Sequence, residues 1–292
     1  MLGYITPAIS FMSSSSETCS GGQFIMLQKG KRRAFSVGQY LRKRYDNIIS
    51  KLYLPEEINI QTTDYARTKM TALSALSALY PPPPLQQWLP HFNWQPIPYD
   101  TAQRSDDYVG GMFLDKYKNN YDLITLTIRN NTYYNKFQNN VNVPTPKWAE
   151  QIMPKIKEMT KIEYMLMYYT DELIRLSAGL LSDIFNVTNA KVKEGKKQPK
   201  LFLYSAHENN VAALLAATRT FIPHQPKYGS TVSLELWKNR MTNEYSFMVI
   251  FSVGMMLPVN GCGDRYLCDY NTFLKLTQDY VLPHSEYKKR CS

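Results

Sequence analysis

The sequence predicts an α/β fold on three observations. Residues 201–204 form a short apolar run typical of a buried strand, and the Ala- and Leu-rich residues 211–217 after it favour a helix. Apolar side chains recur every three or four positions over residues 34–48, as on the buried face of a helix, and residues 58–62 alternate as in a strand. A chain of 292 residues with 44% hydrophobic content can bury a substantial core, as one large domain or a domain carrying an insertion.

The remaining elements follow from the same kinds of pattern. Asp64 is a plausible N-cap for a helix that runs to about Leu79 and stops at four consecutive prolines. The other predictions, in chain order, are one long helix over residues 162–185, a β-hairpin from residues 232–236 and 247–253, and a short helix over residues 272–280. Residues 1–20 show no helix or strand period.

The net charge and the hydropathy of the sequence limit the kinds of molecule that the protein is expected to bind. The net charge of +10 would suit an anionic partner, but the excess lies in short basic clusters that solvated helix faces explain at least as well. The aromatic residues lie mostly in apolar periods rather than among Lys and Arg, so we expect no nucleic-acid partner. No apolar run reaches the length of about 18 residues that a membrane span needs. Residues 2–12 make a poor signal peptide, because no basic segment precedes them.

The cysteines and glycosylation sequons point weakly to a secretory or lysosomal setting. Four cysteines are too few for a disulfide scaffold, although Cys262 and Cys268 lie in a glycine-flanked loop and are close enough in sequence to form a bridge. Asn130 and Asn186 each begin an acceptor sequon for glycosylation, a short pattern that often occurs by chance. Disulfides and glycans belong to oxidising compartments.

The candidate site lies in residues 205–210, between the predicted strand and helix. A strand that turns at once into a helix presents its turn at the carboxyl edge of a sheet, where backbone N–H groups and the helix dipole favour an anion. His207 and Glu208 would lie there, although Glu208 could simply cap the helix. Arg67 would lie in the first turn of its own helix, which suggests an anion nearby, but an arginine facing solvent fits equally well.

Several blocks of sequence, in order from Gly22 onward, resemble the histidine acid phosphatases. Residues 204–208, Tyr-Ser-Ala-His-Glu, resemble the family's Tyr-Ser-x-His-Asp signature, with Glu one methylene longer than Asp. Residues 62–68, Thr-Thr-Asp-Tyr-Ala-Arg-Thr, are similar to its Ser-Thr-Asp-x-x-Arg-Thr block. Further matches lie at residues 38–45, 226–230 and 257–262. One such block would be weak evidence, but an ordered set is strong.

The resemblance implies a fold, a chemistry and roles for three residues. The fold is a three-layer α/β/α sandwich, like that of the phosphoglycerate mutases, forming one domain over residues 1–292 with a mainly helical cap at residues 91–160. The chemistry is hydrolysis of phosphate monoesters through a phosphohistidine, without metal or cofactor. Arg67 and His207 would bind the substrate phosphate, and Glu208 would protonate the leaving group. The ligand would be a small phosphate monoester or another phosphorylated molecule; the family setting is secreted or lysosomal and is compatible with a homodimer.

One departure from the family pattern is serious. The family's nucleophile lies in an Arg-His-Gly-x-Arg-x-Pro loop after the central strand, but this sequence contains no Arg-His pair, and residues 1–20 contain neither His nor Arg. Loss of a nucleophile in a comparable catalytic unit can lower the rate on the order of a millionfold. We therefore expect little or no phosphatase activity. The central strand is also predicted to be missing or replaced, and residues 4–12 are the one candidate to fill its place.

Three hypotheses follow. The first is an acid phosphatase whose sequence is incomplete at its N-terminus, which explains why the site residues remain. The second is a short isoform or pseudoenzyme that binds phosphorylated ligands or acts as an interaction protein. The third, least favoured, is a basic nucleic-acid-binding protein. Direct attack by His207 is disfavoured, since the family gives that position a binding role. Cys291 has no match for its family partner, and Cys19 is an unmatched substitute.

Overall fold

The computed structural model describes residues 3–13, 17–20, 23–26, 28–101, 147–263, 265–283 and 286. The strands in this part of the chain are β1 (Gly3–Ser13), β2 (Glu17–Ser20), β3 (Gln23–Met26), β4 (Ile58–Thr62), β5 (Asp100–Thr101), β6 (Leu201–Ala206), β7 (Thr231–Asn239), β8 (Tyr245–Phe251), β9 (Met255–Leu257) and β10 (Leu267–Asp269). The helices are α1 (Gln28–Tyr45), α2 (Ala66–Leu79), α3 (Lys147–Met167), α4 (Asp171–Ser177), α5 (Leu180–Val192), α6 (Glu208–Ala217) and α7 (Tyr270–Thr277).

A mixed sheet in the order β10-β8-β7-β1-β6-β4-β5 organises the fold, and β9 pairs with β8 beside it. Strands β1, β6, β4 and β5 are mutually parallel, whereas β7 runs antiparallel to β1 and β8 antiparallel to β7. The four parallel strands therefore end together, at what we call the carboxyl edge of the sheet. The strands and hairpin predicted from residues 58–62, 201–204, 232–236 and 247–253 are confirmed.

Strand β1 fills the central position that the sequence pattern left open. It lies between β6 and β7, with Ala8 opposite Leu201 and Ser13 opposite Ala206, so β6 has no unpaired side. The prediction that residues 4–12 would fill this place is confirmed. The sequence shows no strand period there because Ala8 and Ile9, which point to opposite faces of the sheet, are both buried, as is Met12. The polar residue Ser10 is buried as well, and its hydroxyl group forms a hydrogen bond with the hydroxyl group of Ser233 at 2.8 Å.

The helices cover both faces of the sheet, which confirms the predicted three-layer sandwich. On one face, Ala8 and Leu201 belong to a core shared with α1 and α2. On the other face, Ile9 and Phe202 belong to a core shared with α5, α6 and α7. Successive strand residues point to opposite faces, so each central strand contributes to both cores.

Helices α1 and α2 approach each other closely at Gly38. A Cβ atom at this position would lie 2.0 Å from the carbonyl oxygen of Ala75. The two backbones are therefore in contact, and no larger residue fits without a shift of one helix. The predicted amphipathic face of α1 is confirmed, since Ala34 and Leu41 are buried, although Ile48 lies beyond the end of the helix.

The prediction of one long helix over residues 162–185 is wrong. The segment contains the end of α3, all of α4 and the start of α5. Helix α4 has its own N-cap at Thr170, whose hydroxyl accepts a hydrogen bond from the N–H of Leu173 at 3.3 Å. Thr is a favourable cap, which competes with continuation of the helix, and the apolar repeat does not reveal the break. Leu166, which belongs to the apolar repeat of this segment, is 45% exposed.

Two smaller predictions have opposite outcomes. Asp64 does not cap α2, which is preceded by Tyr65 as N-cap; instead the Asp64 carboxylate forms an ion pair with Lys69 Nζ at 2.6 Å. The predicted bridge between Cys262 and Cys268 is present.

Most of the predicted cap at residues 91–160 lies outside the described residues, which stop at residue 101 and resume at residue 147. The predictions for Asn130 and Cys291 also fall outside them. Among the helices that the structure does describe, none is long and apolar enough to cross a membrane.

Candidate active site

The carboxyl edge of the sheet brings the predicted site residues together. Strands β4 and β6 are neighbours, with Thr62 opposite Ser205, so the turns that follow them begin side by side. The N–H of Thr63 donates a hydrogen bond to the carbonyl of Ser205 at 3.2 Å, which ties the two turns to each other. Helices α2 and α6 start directly after these turns and carry Arg67 and Glu208 in their first turns.

Arg67 and His207 are in direct contact, although 140 residues separate them in sequence. Arg67 Nη2 lies 3.2 Å from His207 Nδ1, and His207 Nε2 lies 3.2 Å from Thr63 Oγ1. A guanidinium can only donate hydrogen bonds, so Nδ1 must be the acceptor and Nε2 must carry the proton. These contacts assign the imidazole to the neutral tautomer with its proton on Nε2, donating to Thr63.

A chain of buried hydroxyl groups supports this tautomer. The hydroxyl of Thr63 donates to Thr68 Oγ1 at 3.0 Å, and the Thr68 hydroxyl donates to the carbonyls of Thr63 and Tyr65, both at 2.8 Å. Both threonines are buried. The chain ends on carbonyl oxygens, which accept only, so the direction of every bond in it is consistent with a proton on His207 Nε2.

The environment of His207 keeps the ring neutral at acid pH. Burial lowers the pKa of His207, and the positive charge of Arg67 lowers it further, to about 3. Both effects disfavour the imidazolium form. An anion bound beside this pair would oppose the second effect and raise the pKa.

Tyr65 holds the arginine in place. The Arg67 guanidinium lies 4.5 Å from the centroid of the Tyr65 ring, a cation–π distance, and the same ring meets the His207 ring edge to face at 5.0 Å. Of the two readings that the sequence left open for Arg67, the structure supports the side chain in the site and not the arginine in solvent.

Glu208 is the first residue of α6 and does not cap it. The N-cap is His207, whose backbone N–H donates to Asn210 Oδ1 at 3.0 Å. Two tyrosines of α3 hold the next residue, since Tyr164 donates to Asn209 Oδ1 and Tyr168 donates to the Asn209 carbonyl, both at 2.9 Å. Helix α3 therefore anchors the turn that carries Glu208.

A second carboxyl group lies close to these tyrosines. Burial raises the pKa of Glu163 to about 7, and burial followed by the charge of Glu208 raises the pKa of Tyr164 well above its usual value. The charge of Glu163 contributes to the same rise at Tyr164, so both carboxyl groups lie within electrostatic range of this tyrosine. Glu163 and the two tyrosines were missed in the sequence because the apolar repeat of residues 162–185 suggested a different buried face.

The end of β1 completes the edge. Ser13, its last residue, pairs with Ala206, so the chain leaves β1 beside His207. The sequence of residues 13–20 contains no histidine or arginine. Among the described residues, no group of three or more His, Cys, Asp or Glu side chains is arranged to hold a metal ion.

Comparison with known proteins identifies the class to which this fold and site belong. The sequence model of the histidine phosphatase superfamily (branch 2) matches residues 9–165 and 128–252, and the chain belongs to that family. Three relatives are acid phosphatases. The venom acid phosphatase Acph-1 of Apis mellifera is 29% identical, over 89% of this chain and 76% of the relative. The prostatic acid phosphatase of Bos taurus is 29% identical over 73% and 65% of the two chains, and the lysosomal acid phosphatase of Homo sapiens is 26% identical over 88% and 70%.

Solved structures agree on the fold. The apo form of Hafnia alvei phytase superposes with a TM-score of 0.66 at 12% identity, covering 98% of each chain. The phytase of Citrobacter braakii superposes with a TM-score of 0.61 at 13% identity, covering 96% of this chain and 98% of the phytase. At this level of identity the likeness concerns the fold alone.

Proposed function

We propose that this acid phosphatase-family protein binds phosphate monoesters at the carboxyl edge of its sheet and hydrolyses them slowly or not at all. Arg67 and His207 bind the phosphoryl oxygens, His207 by exchanging the bond from its Nε2–H to Thr63 for one to a phosphoryl oxygen, and Glu208 would protonate a leaving oxygen. The observation that carries the proposal is the 3.2 Å contact between Arg67 Nη2 and His207 Nδ1, which joins two residues of the family motifs in one site.

Three features of this site favour a phosphoryl group. The planar guanidinium of Arg67 matches the oxygens of a phosphate in geometry and charge. His207, with a pKa of about 3, is neutral at acid pH, so its Nδ1 can accept the hydrogen bond from Arg67 that orients the guanidinium. The amino end of α6, which begins at Glu208, adds the positive end of a helix dipole.

The low turnover follows from the missing nucleophile. Both ring nitrogens of His207 are engaged, Nδ1 by Arg67 and Nε2 by Thr63. Attack on phosphorus by Nε2 would need that nitrogen to lose its proton and its bond to Thr63. Residues 1–20 provide neither His nor Arg to act in its place. Glu208 would then have a leaving group to protonate only if another nucleophile entered the site.

Residence in an oxidising compartment is part of the proposal. The bridge between Cys262 and Cys268 is of a kind that persists in secreted and lumenal proteins. The names of the relatives, a venom and a lysosomal acid phosphatase, support the same setting.

Calorimetry with inorganic phosphate tests the binding half of the proposal. We expect the unaltered chain to bind phosphate at acid pH, and Arg67→Met to weaken the affinity by about tenfold or more, because a hydrogen bond to a charged group contributes about 1.5–3 kcal/mol. Arg175→Met is the matched control, since Arg175 pairs with Glu172 on α4 and lies outside the site. Failure of the unaltered chain to bind phosphate, or equal affinities for the Arg67 and Arg175 variants, would contradict the proposal.

Hydrolysis of p-nitrophenyl phosphate at acid pH tests the catalytic half. We expect little turnover by the unaltered chain and a clear gain when an Arg-His-Gly-x-Arg-x-Pro loop is inserted between β1 and β2. Glu208→Gln in the repaired chain should remove most of that gain, because the leaving oxygen loses its acid. Robust turnover by the unaltered chain, abolished by Arg67→Met, would show that this site has another nucleophile.

A further inference from the structure

A different surface lies at the opposite edge of the sheet from the site. The connection from α2 to β5, residues 81–99, contains no Asp, Glu, Lys or Arg. Within it Leu85 is 83% exposed and Trp88 57% exposed, and the large side chains of Leu89 and Phe92 are exposed as well. We call residues 85–94 the aromatic loop. Exposed apolar side chains are common singly, but a contiguous group of this size marks an interaction surface.

The aromatic loop is ordered by its own contacts. The indole N–H of Trp88 donates to the carbonyl of Trp94 at 2.8 Å, and the rings of Trp88 and Phe92 meet edge to face at 5.8 Å between centroids. At its base, the Gln86 side chain accepts from the N–H of Tyr53 and donates to the Tyr53 carbonyl, both at 2.8 Å. The exposed side chains are thus presented on a fixed loop that could be buried against a partner at little loss of conformational entropy.

A lysine-rich segment approaches the same edge of the sheet. Residues 191–200, which lead into β6, contain five lysines and one glutamate. Because β6, β4 and β5 are adjacent and parallel, the segments that precede them lie at the same edge of the sheet. Lys200 forms an ion pair with Glu57, just before β4, whereas Lys193 and Lys197 are exposed. The edge therefore combines a charge-free apolar surface with a positive one.

We propose that this edge docks the protein on an anionic membrane surface. Leu85, Trp88, Leu89 and Phe92 would enter the interfacial layer, where Trp in particular is favoured, while the lysines of residues 191–200 face the lipid phosphates. Insertion of residues 85–94 would strip no charged side chain of water. A lipid surface is the partner to which we commit, because the five lysines of residues 191–200 at the same edge suit lipid phosphates. Docking in this way would turn the carboxyl edge, with Arg67 and His207, towards the aqueous phase.

Co-sedimentation with lipid vesicles tests the proposal. The unaltered chain should bind vesicles of phosphatidylcholine mixed with phosphatidylserine, bind phosphatidylcholine alone more weakly, and lose affinity as salt is raised. The double variant Leu85→Ser, Leu89→Ser should bind the mixed vesicles about tenfold or more weakly, since apolar area no longer leaves water. The double variant Lys193→Gln, Lys197→Gln should lose the preference for the anionic lipid while keeping the weaker binding.

The control is Val253→Ser. Val253 is 77% exposed but follows β8 at the carboxyl edge, remote from the aromatic loop, so its variant should bind vesicles as the unaltered chain does. All variants should keep the unaltered circular dichroism spectrum and melting temperature, because every changed side chain is exposed. Two results would overturn the proposal: absence of binding to the mixed vesicles, or self-association in sedimentation that the leucine variant abolishes, which would show that a second copy covers the loop.

Discussion

Thr63→Val tests the hydroxyl chain that sets the tautomer of His207. The substitution keeps the side-chain shape but removes the acceptor for His207 Nε2–H and the donor to Thr68. Thr63 is 2% exposed, so water does not readily take its place. A buried donor left without an acceptor costs about 1–3 kcal/mol, so we expect the free energy of unfolding to fall by about 2 kcal/mol. The imidazole should also lose its preference for the proton on Nε2. A proton on Nδ1 would oppose the N–H donor of Arg67, displace the guanidinium and weaken phosphate binding severalfold.

Nitrogen NMR of the imidazole is the decisive assay, because the two neutral tautomers have different spectra. The unaltered chain should show the proton on Nε2 of His207, Thr63→Val a mixture, and Thr63→Ser, which keeps the hydroxyl, the unaltered pattern. Thr188→Val is a matched control: this threonine is also buried, and its hydroxyl donates to the Ile184 carbonyl away from the site. A Thr63→Val protein that keeps both the Nε2–H tautomer and its phosphate affinity would refute the reasoning.

Three further predictions concern other parts of the fold. The pKa of Glu163, raised from 4.5 to about 7, means that the folded chain holds this proton more tightly than the unfolded chain, so stability is lost as pH rises through that interval. At pH 8 the Glu163→Gln variant should therefore have a free energy of unfolding about 2 kcal/mol higher than the unaltered chain, after allowance for partial solvent screening, and at pH 4 the two should differ little. Thermal melts that show the same difference in stability at both pH values would contradict this prediction. Tyr164→Phe removes the bond to Asn209 and should cost about 1–2 kcal/mol while speeding amide exchange at the start of α6; unchanged exchange there would show that α3 does not anchor the turn. Gly38→Ala should lower the free energy of unfolding by about 2–3 kcal/mol in urea denaturation, because its Cβ meets the Ala75 backbone, and a stable variant would mean that α1 and α2 can move apart.

The site residues illustrate how far sequence reasoning reaches. Arg67, His207 and Glu208 stand out because each lies in a short motif at the start of a predicted helix. The structure places the first two in contact and the third beside them in α6. Thr63 and Tyr164 did not stand out, because a threonine beside a motif or a tyrosine on a helix has many ordinary explanations. Only the fold shows that each holds a residue of the site.

Some strands and helices could likewise be predicted from the sequence, and others could not. Helix α1 was predictable because it has one buried and one solvent-facing side, and strand β4 because apolar buried residues alternate along it with polar, partly buried ones. Strand β1 is buried on both faces at its described side chains, residues 8–10 and 12, and leaves no such period. The breaks around α4 were missed for another reason, since the cap at Thr170 acts through one local hydrogen bond while the apolar repeat continues past it.

Local pattern alone was therefore enough for the α/β class and for the absence of an Arg-His pair, and the resemblance to a family was enough to predict that Arg67 and His207 share a site. These are properties of the order of residues along the chain. The neutral tautomer of His207, its pKa near 3 and the anchoring of the Glu208 turn by α3 arose only with the packed structure. Each of these properties depends on burial and on short distances between groups that are far apart in sequence. The burial and the short distances exist only once the sheet has brought its strand ends together.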